Sequence, residues 1–365
     1  MARHDRGGLG RNIPGLVNKA AEVLGQLQSH RRACDKPALR QVADMLFLYF
    51  GGIISPSQYY SYQLCRRDAG SLLGLPYLGS RARREIGRKL NPACWHDVAR
   101  NKWLLSLYVN ELGLPHPRVY GYFDAERGAD YLGRPLRRQS ELLALLESES
   151  LSEFVLKPVC GGQGRNVMVL SRGENNSLRR MNGTSMAVED LIKAMSDGSY
   201  LVQAKVEQDS SLAQMGGTAL NTYRIVTFVD RQGQAHIHHA ALRLGQGVTE
   251  VDNYSQGGLY VEIDHGCGLL DRATVNYSDE LVHAHPDTGL EFRGCPAPHW
   301  EAVSALALRA ASLFPLGSLG WDIAVSTEGP VIIEANHGWD FRRIYRGYLQ
   351  PEVRRQLSEY GISQR

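Results

Sequence analysis

The chain has 365 residues, 43% hydrophobic and 22% charged, with 41 basic against 38 acidic side chains for a net charge of +3. That length holds two or three domains with real cores, and the composition excludes a disordered chain or a coiled coil. The charge is too balanced to indicate a nucleic-acid partner, and no apolar run approaches the roughly 20 residues that cross a bilayer.

Residues 1–112 show helical spacing: "GLVNKAAEVLGQL" and "HDVARNKWLLSLYVNELG" repeat apolar residues three and four apart, and the second ends at Gly113. The basic runs Arg81–Glu85 and Arg342–Arg346 read as solvated helix faces. Two prolines in "LGLPHPRVYGYF" break the pattern and lead into a strand. From about residue 150 short strands alternate with turns, with helices at "VEDLIKAMSDG" and "HWEAVSALALRAASLF". The fold class expected is α+β, divided into a mostly helical region 1–112, a central region 113–205 and a C-terminal region 206–365.

The six cysteines, at 34, 65, 94, 160, 267 and 295, include no CxxC pair, and no apolar leader core stands near the N-terminus. A reduced, cytoplasmic protein is the expectation. Alternation in "QAHIHHAALRL" places His236 and His238 on one strand face and His239 on the other, which reads as ordinary strand residues rather than a zinc site.

"FVLKPVCGGQGRNVMVL" reads as strand, loop, strand, with Lys157 ahead of Gly161, Gly162 and Gly164. Glycines let backbone N–H groups approach an anion and a lysine adds a point charge, so phosphate is the natural guest. Among glycine loops, order and spacing exclude a Walker loop, a dinucleotide fingerprint and a kinase loop. A glycine-rich turn beside a surface lysine stays open. Replacing Gly162 is expected to act through lost backbone approach and lost φ freedom.

"GWDIAVSTEGPVIIEAN" reads as a hairpin turning at Ser326–Pro330. A turn centred on Glu328 sets Asp322 across from Glu334, with Asn336 two residues on. Like charges facing across a hairpin need neutralising, and carboxylate and amide oxygens suit Mg²⁺, with Mn²⁺ as a substitute. Two exposed carboxylates on an edge hairpin are the other reading.

A lysine and glycine hairpin followed by an Asp...Glu-x-Asn hairpin resembles the layout of the ATP-grasp superfamily, from about Lys102 to Asp340. The run "NTYRIVT...ALRLG...DN...GG...HPDTG...GWD...GPVIIEAN" resembles the sugar-transfer-associated ATP-grasp family, related to α-L-glutamate ligases. The resemblance implies two α+β subdomains clasping ATP. It makes Lys102 a first ATP-binding lysine, places Gln203, Ala204 and Val206 at the adenine and Asp209 where relatives tend to have a histidine at the ribose, and puts Arg224 and Arg243 near the transferred phosphate.

The activity implied is an ADP-producing carboxylate–amine ligase on small molecules, with an acyl-phosphate intermediate. A phosphotransferase acting on a hydroxyl, or a nucleotide-binding module without turnover, are the alternatives. Substrate loops are expected at Asp252–Tyr260 and His337–Arg343, with Trp339, Asp340, Arg342 and Arg343 facing a substrate.

Overall fold

The computed structural model describes residues 34–50, 59–60, 64–67, 80–162, 164–173, 177–247, 257–275, 281–339 and 351–362. The segments Gly15–Leu27 and Arg342–Arg346 lie outside them. The described helices are α1 (Ala38–Phe50), α2 (Ser80–Leu90), α3 (His96–Arg100), α4 (Lys102–Glu111), α5 (Gln139–Ser148), α6 (Val188–Ala194), α7 (Ser210–Ala213), α8 (Trp300–Leu313) and α9 (Pro351–Glu359). Among these residues, no helix is long and apolar enough to cross a membrane.

The chain forms two compact units, one of Met1–Ile86 with Asp340–Arg365 and one of Gly87–Trp339. In the first, Asp44 on α1 is buried and accepts from Lys36 Nζ and Arg40 Nε, each at 2.9 Å, and from the Tyr59 hydroxyl at 3.1 Å. Cys34 and Cys65 form a disulfide with their Cα atoms 5.2 Å apart. This corrects the expectation of reduced cysteines throughout. The partners are 31 residues apart, and what joins them is tertiary, with the Lys36 N–H bonded to the Cys65 carbonyl at 3.0 Å. Cys94, Cys160, Cys267 and Cys295 are free.

The second unit holds two antiparallel sheets. The first orders its strands β2-β1-β7-β3-β4-β5-β6, where β1 is Val119–Phe123, β2 Ala129–Asp130, β3 Glu153–Pro158, β4 Met168–Arg172, β5 Ser177–Arg180, β6 Ser185–Ala187 and β7 Tyr200–Ala204. The alternation of β3 splits its side chains: Phe154 and Leu156 join the core with Leu142, Leu145 and Leu146 of α5 and Leu191 of α6, which leaves Val155 and Lys157 on the other face.

The second sheet runs β12-β11-β10-β9-β8-β13-β14, where β8 is Thr222–Val229, β9 Ala235–Leu244, β10 Leu259–Asp264, β11 Leu269–Val275, β12 Leu281–Val282, β13 Ser318–Ser326 and β14 Gly329–Asn336. Its core face packs on α8, whose Val303, Leu306, Ala307, Ala310 and Ala311 recur at three and four residue spacing, and on Leu105 and Val109 of α4. Helix α4 therefore packs with the sheets, although its spacing groups it with the helical region 1–112. Passage between the sheets falls between Ala204 and Thr222.

Candidate active site

Lys157 reaches a cavity of about 1050 Å³ because β3 alternates, and Val169 lines it from β4, which pairs with β3, with Val167 from the residue before that strand. Lys157 is 6% exposed; burial, with the neighbouring Lys102 charge, pushes its pKa down to about 8 against the pull of Glu334 and Asp322. Such a group accepts a buried anion readily, since the anion restores the stability of its charged form.

Lys102 arrives from a helix N-terminus. Asn101 caps α4 by accepting from the N–H groups of Trp103 and Leu104, and the Lys102 N–H donates to the Val159 carbonyl at 2.9 Å, which docks the helix on the end of β3. The ammonium then donates to the Gly161 carbonyl at 2.8 Å and pairs with Glu334 at 3.0 Å. One lysine joins the glycine loop of the first sheet to the carboxylate hairpin of the second.

Gly161, Gly162 and Gly164 all line the cavity. Gly161 (φ +130°) and Gly164 (φ +63°) hold conformations that favour glycine. Gly162 does not, and a Cβ built on it meets nothing within 4 Å. Gly162 therefore has no φ need of its own, contrary to the expectation: that need sits on Gly161 and Gly164, and Gly162 contributes open space at the wall.

The second sheet presents a row of charge. Arg224 on β8, Asp322 on β13 and Glu334 on β14 stand at one register, Asp322 being paired with both of the others. Burial would push the Asp322 carboxyl up, but Arg224 and Arg243, together with the Arg224 hydrogen bonds, hold it below the usual carboxylate range. Arg224 Nε and Nη2 donate to its two oxygens at 2.5 and 3.0 Å, and Arg243 Nη2 lies 3.3 Å away. Lys102 offsets Glu334 from the other side. This is how two facing carboxylates persist in one wall.

The facing of Asp322 and Glu334 depends on a bulge. The turn is tighter than a centre at Glu328 requires, with Ser326 paired to Gly329, and that register would oppose Asp322 to Ile333. A shift between Asp322 and Ile323 inserts Ile333 as an extra residue, so Ile332 stays in the core while Glu334 turns to the cavity.

Lys102, Lys157, the three glycines, Gln203, Ala204, Val206, Arg243, Asp322 and Glu334 all line this one cavity. Arg224, Asp209 and Asn336 do not. Arg224 lies behind Asp322 and is spent on it. Asp209 instead caps α7, accepting from the Ser211 N–H and hydroxyl, and stands 3.2 Å from His299. Glu207, two residues earlier, lines the wall in its place. The signal that could have separated them is the Asp-Ser-Ser start of a helix, which claims Asp209 as a cap.

Asn336 sits beside the wall and its buried Nδ2 makes no hydrogen bond. Trp339 is buried, donates to Ser318 Oγ at 2.8 Å and packs on Phe228 and His238, so it serves packing rather than the cavity. Of the expected substrate loops, residues 252–256, Asp340, Arg342 and Arg343 lie outside the described residues, and Leu259 and Tyr260 are buried strand residues. The three strand histidines have separate contacts: His236 bonds Asp230, His239 bonds Tyr260, and His238 packs against Phe228.

A model of the sugar-transfer associated ATP-grasp family matches residues 81–345. The chain is an ATP-grasp protein, and it belongs to that family. No match was found among curated protein sequences.

Among solved structures it is similar to the N5-carboxyaminoimidazole ribonucleotide synthetase PurK in its ADP complex, at 15% identity and a TM-score of 0.37 over 66% of this chain and 45% of that one. It is also similar to the ATP-grasp ligase PsnB with minimal precursor, Mg and ADP (16%, TM-score 0.37, 74% and 62%). A third is the RimK domain ATP-grasp protein from Sphaerobacter thermophilus (15%, 0.40, 74% and 70%). The chain thus spans less than two thirds of the length of the first two.

Proposed function

We propose that the chain is an ATP-dependent ligase that joins a small-molecule carboxylate to an amine, releasing ADP and phosphate. The observation that carries this reading is Lys102, whose ammonium bridges the Gly161 carbonyl and Glu334 across one cavity, with Lys157 buried beside it and Arg243 lining the same cavity. Cations around a carboxylate hairpin suit a polyphosphate. In this reading Gln203, Ala204 and Val206 hold the base, Glu207 is within reach of the sugar, and Gly161, Gly162 and Gly164 face the phosphates.

The donor set fits a hard cation. Asp322 and Glu334 bring carboxylate oxygens to the cavity wall, the donors such a cation takes, and Asn336 stands outside the lining; among the described residues no group of three or more His, Cys, Asp or Glu is gathered for a metal ion. When bound there, Mg²⁺ would neutralise phosphate oxygens. Attack of a carboxylate on the γ-phosphate is opposed by like charge, and Lys157, Lys102 and Arg243 lower that barrier by holding positive charge at the cavity wall. Arg224 contributes by holding Asp322. The acyl phosphate formed must be kept from water until an amine displaces phosphate.

The test is incubation with Mg-ATP and pools of candidate acids, with hydroxylamine as trap. Hydroxamate with stoichiometric ADP is the expected result. AMP and pyrophosphate would overturn the mechanism, and ADP with a stably phosphorylated hydroxyl would assign a phosphotransferase. Arg243→Ala should lower kcat more than ATP affinity, by roughly 10²–10³.

A further inference from the structure

The "HPDTG" turn, His285 to Gly289, has no part in the reaction described above, yet it reaches the cavity wall. Strand β9 outruns its neighbour. Arg243 pairs with Thr222, the first residue of β8, so the backbone after Leu244 has no strand beside it on that edge. Side chains take over its hydrogen bonds. The Gly245 N–H donates to Asn221 Oδ1 at 3.0 Å, and the Gly245 carbonyl accepts from the Gly217 N–H at 3.0 Å and meets His285 Nε2 at 2.9 Å.

His285 is 1% exposed and its tautomer follows from its partners. Nδ1 accepts from the N–H groups of Asp287 and Thr288 at 3.2 and 3.4 Å, so the proton sits on Nε2 and is given to Gly245. Asp287 completes the tie, its Oδ2 accepting from the Gly247 N–H at 2.6 Å. On the opposite side Gly217 packs so closely that a Cβ there would lie 2.5 Å from the Gly247 carbonyl. Gly217, Thr218, Gly247, Asp287 and Arg243 all face the cavity.

Arg243 itself pairs with Thr222 and Tyr260, and its Nε and Nη2 donate to Thr222 Oγ1 at 3.0 and 2.7 Å. We propose that His285 and Asp287 are positioning residues: they fix Gly245–Gly247, the end of that strand, and so add to these contacts in holding Arg243, two residues upstream, against the phosphate end of the cavity. The proposal rests on the nucleotide reading above. The arrangement accounts for a buried histidine with both nitrogens committed to backbone, one to its own turn and one to the wall.

The test compares the equilibrium affinities of Mg-ATP and Mg-ADP for the full chain and for Arg243→Ala, His285→Ala, His285→Gln, Asp287→Asn and the double variant Arg243→Ala/His285→Ala. Arg243→Ala should cut the preference for ATP over ADP by roughly tenfold, the scale of one charge-assisted hydrogen bond. His285→Ala should cut it comparably, the double variant should lose no more than Arg243→Ala alone, and His285→Gln, which keeps an N–H donor, should recover most of it. Asp287→Asn should give a smaller loss in the same direction.

A merely structural histidine would lower Tm and weaken both nucleotides equally. An unchanged ratio in His285→Ala, or a loss that adds in full to that of Arg243→Ala, would overturn the proposal alone. A ratio unmoved by Arg243→Ala would overturn the reading of Arg243 as well. If His285→Ala fails to fold, His285→Gln and Asp287→Asn carry the comparison.

Discussion

Lys157 is placed where its charge is a cost to the folded protein. Its pKa falls from the ordinary lysine value to about 8, because burial and Lys102 outweigh the attraction of Glu334 and Asp322. The folded form therefore releases this proton more easily than the unfolded chain does, and stability from this group rises with pH between about 8 and 10.5. Below that window the buried ammonium costs about 3 kcal/mol, at about 1.4 kcal/mol per pH unit.

A bound polyphosphate reverses the balance by stabilising the ammonium. Binding of ATP at pH 8.5 should then take up a proton, and affinity should fall as pH rises through 8. Titration calorimetry in buffers of different ionisation enthalpy reads the uptake. Lys157→Met should abolish it, weaken binding, and leave stability at pH 7 unchanged or higher. Proton uptake at pH 8.5 that survives the substitution would show that Lys157 is not the group beside the phosphates.

At the scale of elements, the two hairpins divide their work between backbone and side chains. The first offers a glycine turn, and its three glycines should answer differently to alanine. Gly164, in the left-handed region, should cost about 1–2 kcal/mol in stability, and Gly161 a similar amount. Gly162→Ala should leave stability within about 0.5 kcal/mol, since its Cβ meets nothing, yet weaken ATP binding by placing a methyl where phosphate would approach. Denaturant melts paired with nucleotide titrations separate the two effects, and a Gly162→Ala protein with intact affinity would remove the loop from the phosphates.

Both hairpins were legible because apolar runs flank turn residues, and with them the pairing of Asp322 with Glu334. The Ile333 bulge was not legible. Strict alternation sends Glu334 into the core with Ile332, and only a turn centred on Glu328, half a residue beyond the observed one, brings Glu334 across from Asp322. Lys102 carries little local signal, because a lysine at a helix start is ordinarily solvated; it is the docking of that helix on Val159 that makes it central. Long-range pairings such as Cys34 with Cys65, or His285 with Gly245, leave no local pattern to read.

At the scale of the whole molecule, every cavity-lining residue named above belongs to Gly87–Trp339, whereas the disulfide belongs to the unit of Met1–Ile86 with Asp340–Arg365. Two perturbations can therefore be applied separately. A ligand that binds only the folded state stabilises it by about 2.7 kcal/mol at a hundred times its Kd, and Mg-ATP should raise the melting transition of the cavity-bearing unit by that measure. Opening a disulfide between residues 31 apart removes about 3–4 kcal/mol in the chain-entropy account, and that loss should fall on the unit that carries it. The nucleotide-induced shift should then have the same size with and without reductant, read by calorimetry on wild type and on Cys65→Ser. A nucleotide shift that disappears on reduction would mean that the cysteine-bearing unit completes the nucleotide site, and the assignment of the whole site to Gly87–Trp339 would have to be withdrawn.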